Sequence, residues 1–207
     1  MSYCNWSKAC DITRKYHDEE WGVPLHNDRG QFEFLMLEVM QCGLSWDTVM
    51  KKREILSACF DNFDFEKVAQ YNEMDVDRIM NTPGMIRSPR KITAVINNAK
   101  NFCKIRDEFG TFDAYLWNFS NNKTILYDGH ERGFIPVSNA LSDTISCDLK
   151  KRDFKFIGSI TVYSHLQACG IINDHDESCP RYAYINDNFP TCRKPVEGEV
   201  GVKEFRK

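Results

Sequence analysis

The segment Asn81-Thr82-Pro83-Gly84-Met85-Ile86-Arg87-Ser88-Pro89 breaks a helical pattern near the middle of the chain. Pro83-Gly84 forces a tight turn, with Gly84 free to take positive φ. Ser88-Pro89 reads as an N-cap followed by proline at the first helical position. Ahead of the turn, Asp75 can cap a short helix through Met80. Behind it, Ile92, Val95, Ile96, Ala99 and Phe102 recur at helical spacing and form an apolar stripe. Helix, glycine hairpin, helix, flanked by Arg87 and Arg90, is the shape of a helix-hairpin-helix unit over residues 75–103. Hairpin N–H groups and the positive end of the second helix can hold a DNA phosphate. An ordinary αα-corner has the same pattern, and the spacing does not choose between them.

Outward from the hairpin the pattern stays mostly helical. Residues 31–41, after a possible N-cap at Asp28, read Q-F-E-F-L-M-L-E-V-M-Q. That run is apolar on all sides, so it belongs inside. Gly43 ends it, and a second helix runs from Ser45 or Trp46 through Cys59. Asp64 can cap a short helix through Ala69. Thr124–Tyr127 and Gly133–Val137 can be extended. Further helices begin at Ser138 or Ser142, ending near Arg152, and run from Ile160 to Cys169, with Gly170 as the stop. The chain of 207 residues reads as one domain over 1–180 and a polar tail over 181–207, its end loosely held.

Hydrophobic residues make up 42%, enough for a globular interior. The start, Met1 to Trp6, has no apolar leader core, and no stretch is long enough to span a bilayer. Nine cysteines is an odd number. The expected setting is the reducing cytoplasm, with most of the cysteines free or in the core. A net charge of −3 does not advertise nucleic acid. Local basic clusters do occur, at Lys51-Lys52-Arg53, at Arg87 with Arg90-Lys91, and at Lys150-Lys151-Arg152 with Lys155. They are either phosphate contacts or solvated helix faces.

Cys4 and His17 near one end, and His175 and Cys179 near the other, make a Cys₂His₂ set. Twelve residues separate the first pair and three the second. This is the donor set of a closed tetrahedral zinc site. One structural zinc would staple the N-terminal segment to the C-terminal part. Four protein ligands leave no position for an activated water, so the chemistry must lie elsewhere.

Glu38 stands inside the apolar helix, where a carboxylate must pair, protonate or meet a ligand. Gly43-Leu44-Ser45-Trp46 follows directly. Tyr16 adjoins His17, and Trp6 and Trp21 are close in sequence to the same ligands. A carboxylate among aromatic faces suits a flat, cationic, hydrogen-bonding group such as an alkylated nucleobase. Core packing is the alternative for each aromatic taken alone.

Tyr16-His17-Asp18-Glu19-Glu20-Trp21-Gly22 resembles the "YHD-EWG" segment of the bacterial 3-methyladenine DNA glycosylase I family. Leu37-Glu38 with Gly43-Leu44-Ser45-Trp46 resembles that family's "LE…GLSW" segment. Lys51-Lys52-Arg53-Glu54, Leu149-Lys150-Lys151-Arg152 with Phe154-Lys155-Phe156, and Gln167-Ala168-Cys169-Gly170 with Asn173-Asp174-His175 agree in order and spacing. The likeness runs from about Cys4 to Cys179.

The resemblance implies an all-α fold of the helix-hairpin-helix DNA glycosylase superfamily, with the zinc staple on Cys4, His17, His175 and Cys179. It implies base-excision repair, in which the N-glycosidic bond of 3-methyladenine in alkylated double-stranded DNA is hydrolysed. The products are free base and an abasic site, without lyase activity. Glu38 would be the catalytic, base-recognising group, Tyr16 and Trp46 the stacking faces, and Trp6 and Trp21 further walls. Leu44 would be the wedge, with Gly84 and Arg87 on the DNA backbone. A monomer is the expected form. Thr13, Asp47, Asp153 and His165 depart from the family pattern and bear on substrate range. A non-catalytic lesion binder, a zinc hydrolase with an open metal site, and a glycosylase of shifted range are the rival readings.

Overall fold

The computed structural model describes residues 4–8 and 10–195. Among the described residues, eight α-helices precede the first strand. Helix α1 (Asp11–Glu19) buries Thr13, Tyr16 and His17. Helix α2 (Asp28–Gln41) starts at Asn27, whose side chain accepts from Gly30 N–H at 2.7 Å. Asp28, read from the sequence as that cap, does something else. Its carboxylate lies one residue inside the helix and accepts from the Phe112 and Asp113 amides at 3.0 and 2.9 Å. It therefore caps a later helix.

The single helix expected from Ser45 or Trp46 to Cys59 is two, α3 (Trp46–Met50) and α4 (Arg53–Cys59), because Lys52 leaves helical geometry. Helix α5 (Phe65–Val68) is capped by Asp64. Helix α6 (Glu73–Asn81) begins earlier than the Asp75 reading. Asn72 is its N-cap, and Asp75 is the third residue of a capping box. Ser88-Pro89 opens α7 (Pro89–Phe109), and Thr111 caps α8 (Phe112–Asn118).

Strand β1 (Thr124–Tyr127) is extended as expected, while residues 133–137 form no strand. Helix α9 (Ala140–Lys151) is capped by Asn139, with Ser142 inside its capping box, and α10 (Ser159–Ala168) follows. The polar stretch from Arg181 is ordered as far as Lys194. It contains most of α11 (Pro180–Asn188) and β2 (Thr191–Lys194). Strand β2 pairs in parallel with β1, Thr124 opposite Thr191. The all-α expectation is thereby amended to a mostly helical fold with one small sheet. The buried Ile125 needs backbone partners outside a helix. Its N–H donates to the Ile171 carbonyl and its carbonyl accepts from the Asn173 N–H, while the alternate residues of β1 bond toward β2. The expected loose end of the tail, at 196–207, lies outside the described residues.

Helix α7 is the axis of one half, packed against α2, α5, α6 and α8. Phe102 stacks on Phe112 at 4.0 Å and meets Phe32 edge-on at 5.3 Å. Each such side chain contributes about 1.5–3 kcal/mol on burial. Helix α2 is buried on almost every side and also packs against α3 and α10. It carries the buried Glu38 in its last turn. No helix among the described residues is long and apolar enough to cross a membrane.

Candidate active site and metal cluster

Cys4, His17, His175 and Cys179 meet, fully buried, with their donor atoms all within 4.8 Å of one another. Cys4 Sγ lies 3.6 Å from His175 Nδ1, and Cys179 Sγ lies 3.7 Å from both His175 Nδ1 and His17 Nε2. A tetrahedral ion bonded at about 2.3 Å to sulfur and about 2.0 Å to nitrogen sets S···N edges of about 3.6 Å. The outer shell agrees. His175 Nε2 is 3.1 Å from the Trp21 carbonyl, and His17 Nδ1 is 2.7 Å from Asp18 Oδ1. Each imidazole thus places its N–H outward and its lone pair on the cluster, as metal-bound histidines do. The Asp176 N–H points to Cys4 Sγ at 3.4 Å. Burial pushes the Cys4 thiol up and His175 down to about 3, so neither readily carries charge without a cation between them.

The loop that presents His175 is itself tied down. Buried Asp174 accepts from Tyr163 and Gln167 and meets His130 Nδ1, each at 2.7 Å. Gly22, at φ +79°, leaves room for the His175 ring, since a Cβ there would sit 2.8 Å from Nε2.

Beside this cluster is a second constellation. Tyr16 on α1 and Trp46 on α3 have ring centroids 5.2 Å apart, and Phe34 meets Tyr16 edge-on at 5.9 Å. Glu38 is 6% exposed and has no side-chain hydrogen bond among the described residues. Burial alone raises its carboxyl to about 8. Tyr16 feels Glu38, which adds to the burial that raises its phenol. Tyr16 Oη and Trp46 Nε1 are also buried without partners. An acceptor and two donors left open around aromatic faces are what a flat, polar-edged ligand would satisfy.

The hairpin lies between α6 and α7, with Gly84 at φ +79°. Lys52 Nζ donates to the Gly84 carbonyl. Leu44 is 37% exposed at the turn after α2, and Arg87 is exposed beside the hairpin.

The profile of the Methyladenine glycosylase family matches residues 6–182. The chain belongs to this family. DNA-3-methyladenine glycosylase 1 of Escherichia coli is 42% identical over 182 residues, covering 88% of this chain and 97% of that protein. DNA-3-methyladenine glycosylase of Haemophilus influenzae is 38% identical over 177 residues, 86% of this chain and 96% of that one. A structure of 3-methyladenine DNA glycosylase I from Staphylococcus aureus, on 3-methyladenine recognition, superposes with a TM-score of 0.81. It is 35% identical and covers 86% of this chain and 94% of its own.

In this methyladenine glycosylase the aromatic residues divide between the two constellations. Trp21 packs on the cluster, 4.5 Å from His175 and 6.0 Å from His17 between ring centroids. Trp6 bridges, 4.9 Å from Trp21 and 6.4 Å from Tyr16. Several cations of the basic clusters are engaged within the fold. Arg53 forks onto Glu20 and reaches Glu33, Arg152 binds Glu108 and Asp148, and Lys91 is buried with Nζ 2.7 Å from the Met40 carbonyl. Sequence reasoning missed the Asp174 network and the role of Lys91. Both join residues far apart in the chain, and no local pattern marks them.

Proposed function

We infer that this chain is a DNA-3-methyladenine glycosylase acting in base-excision repair. It hydrolyses the N-glycosidic bond of 3-methyladenine in alkylated DNA, releasing the base and leaving an abasic site. The family membership and close relatives carry the activity. The unpartnered Glu38 between Tyr16 and Trp46 carries the assignment of the site.

The lesion is already activated. Methylation gives the base a positive charge, so the glycosidic bond is weak and the enzyme's main task is selection. In our reading Tyr16 and Trp46 stack on the extruded base, Trp6 stands at the rim and Trp21 backs the metal cluster. Glu38 accepts hydrogen bonds from the base edge. A cationic base beside it favours the ionised carboxylate that burial otherwise disfavours, so affinity and charge are linked. Neutral adenine offers no such compensation. Water then takes the sugar carbon as the base departs.

Leu44 is the proposed wedge in the gap left by the base. The hairpin at Gly84, with Arg87, grips the backbone of duplex DNA. The hairpin has no lysine, and Lys91 is held by the Met40 carbonyl, which supports a monofunctional hydrolase without lyase activity. Cys4, His17, His175 and Cys179 would hold one zinc ion, which closes the N-terminal segment onto the loop of His175. We assign the chain through Lys194 to a single catalytic domain, extending the boundary expected at 180 because β2 pairs with β1, and working as a monomer. Nine free cysteines support a cytoplasmic setting.

The test is base release from methylated duplex DNA, resolved chromatographically, for the parent and Glu38→Gln. Release of 3-methyladenine by the parent and its loss in the variant is the expected result. Selective binding to alkylated DNA without release would replace hydrolysis by lesion sensing.

A further inference from the structure

His165 on α10 is 1% exposed, and neither ring nitrogen has a hydrogen-bond partner among the described residues. Both polar atoms of a buried imidazole are thus unsatisfied, which packing alone does not explain. An apolar ring of similar size would fill the space without that cost.

The position of His165 follows from how α10 lies on α2. Near the end of α2, Cys42 Sγ is 3.9 Å from Thr161 Oγ1. Near its start, Gln31 Nε2 donates to the Leu25 carbonyl at 2.8 Å, and Leu25 N–H donates to the Cys169 carbonyl at 3.0 Å. The Cys169 thiol itself feels the Gln31 side chain. The two helices therefore run antiparallel. One turn before Cys42 is Glu38, and one turn after Thr161 is His165. The two residues stand level on facing helices. Tyr16 feels both Glu38 and Cys169, which turns the end of α10, one turn past His165, toward the aromatic slot.

We propose that His165 is a further wall of the base pocket, supplying a hydrogen bond to the edge of a bound aminopurine, directly or through one water. This rests on the assignment of the pocket to Glu38, Tyr16 and Trp46. A neutral imidazole has one donor and one acceptor. An aminopurine edge presents both, so His165 complements Glu38, which when ionised can accept but not donate. Burial holds the imidazole neutral, lowering it to about 3.

The experiment follows free 3-methyladenine binding in two ways. Imidazole ¹⁵N resonances of the unmutated protein are recorded through a titration, and affinities are measured by tryptophan quenching for the parent, His165→Phe, His165→Gln and Glu38→Gln. The His165 resonances should shift on binding. His165→Phe should bind about tenfold more weakly, as for one lost hydrogen bond, with an unchanged or higher Tm. His165→Gln should keep part of the affinity. Unmoved His165 resonances, or parental affinity in His165→Phe, would overturn this inference while Glu38→Gln still reports on the pocket. A parent that binds no 3-methyladenine takes the pocket assignment and this inference down together.

Discussion

The Thr13 hydroxyl donates to the Asp47 carboxylate at 2.5 Å, joining α1 to α3. Thr13 is one helical turn before Tyr16, and Asp47 directly follows Trp46. The bond therefore spans the two helices whose rings form the slot. Removing it with Thr13→Val leaves a half-buried carboxylate without its donor. The expected cost is about 1.5–3 kcal/mol, as for a hydrogen bond to a charged group. Because Tyr16 and Trp46 lose their fixed spacing, KM for methylated DNA should rise more than kcat falls. Thermal melts and steady-state excision assays measure the two effects, and Thr13→Ser should restore both.

Glu38→Gln should abolish most excision while strengthening the fold at high pH. Glu38 titrates near 8 when folded and near 4.5 when unfolded. The folded state holds the proton more tightly, so this group favours folding at low pH. That contribution is lost as pH rises from about 4.5 through about 8. The parent should lose on the order of a few kcal/mol over this window relative to the glutamine variant. Denaturation midpoints of both proteins at several pH values test it. Parallel pH profiles would mean that Glu38 is not desolvated.

These two sites differ in how far the sequence could disclose them. Cys4, His17, His175 and Cys179 are legible because one Cys/His pair stands near each end, and together they make the donor set of a closed zinc site. Glu38 is legible because charge inside a fully apolar helix is costly. The Thr13–Asp47 bond is not, since either residue alone is an ordinary helix-start residue. Asp28 misleads for a related reason, as its carboxylate caps α8 across space and leaves its own helix to Asn27. Lys91 reads as surface charge beside Arg90, yet its long stem carries the ammonium to the Met40 carbonyl. The pairing of β1 with β2 joins segments that no local pattern connects.

Metal removal should destabilise the protein before it touches the chemistry. A metal ion held by the four residues would tie Cys4, at the start of the described chain, to Cys179 beyond α10. The isolated protein should contain one zinc per chain by elemental analysis. Stripping it with a strong chelator, or replacing Cys179 with serine, should lower Tm by about 10 °C or more. At low temperature, where the stripped protein stays folded, free 3-methyladenine should still bind. A stripped protein that melts like the parent would remove the staple from the account.

The hairpin should govern DNA affinity separately from base recognition. Gly84 takes φ +79°, and a Cβ there would lie 2.8 Å from Ile55 Cδ1. Gly84→Ala is therefore strained by its backbone, while the tip of the Ile55 side chain on α4 must move aside. Arg87 is exposed beside the turn and, among the described residues, makes none of the internal ion pairs that occupy Arg53 and Arg152. If Arg87 neutralises one phosphate, Arg87→Ala should weaken binding to any duplex and reduce the salt slope by about one. The affinity for free 3-methyladenine should stay at the parental value. Salt titrations of duplex binding, with and without a lesion, separate the outcomes. An unchanged slope would show that the phosphate grip lies elsewhere, with Lys51, Lys150 and Lys151 the next cations to replace.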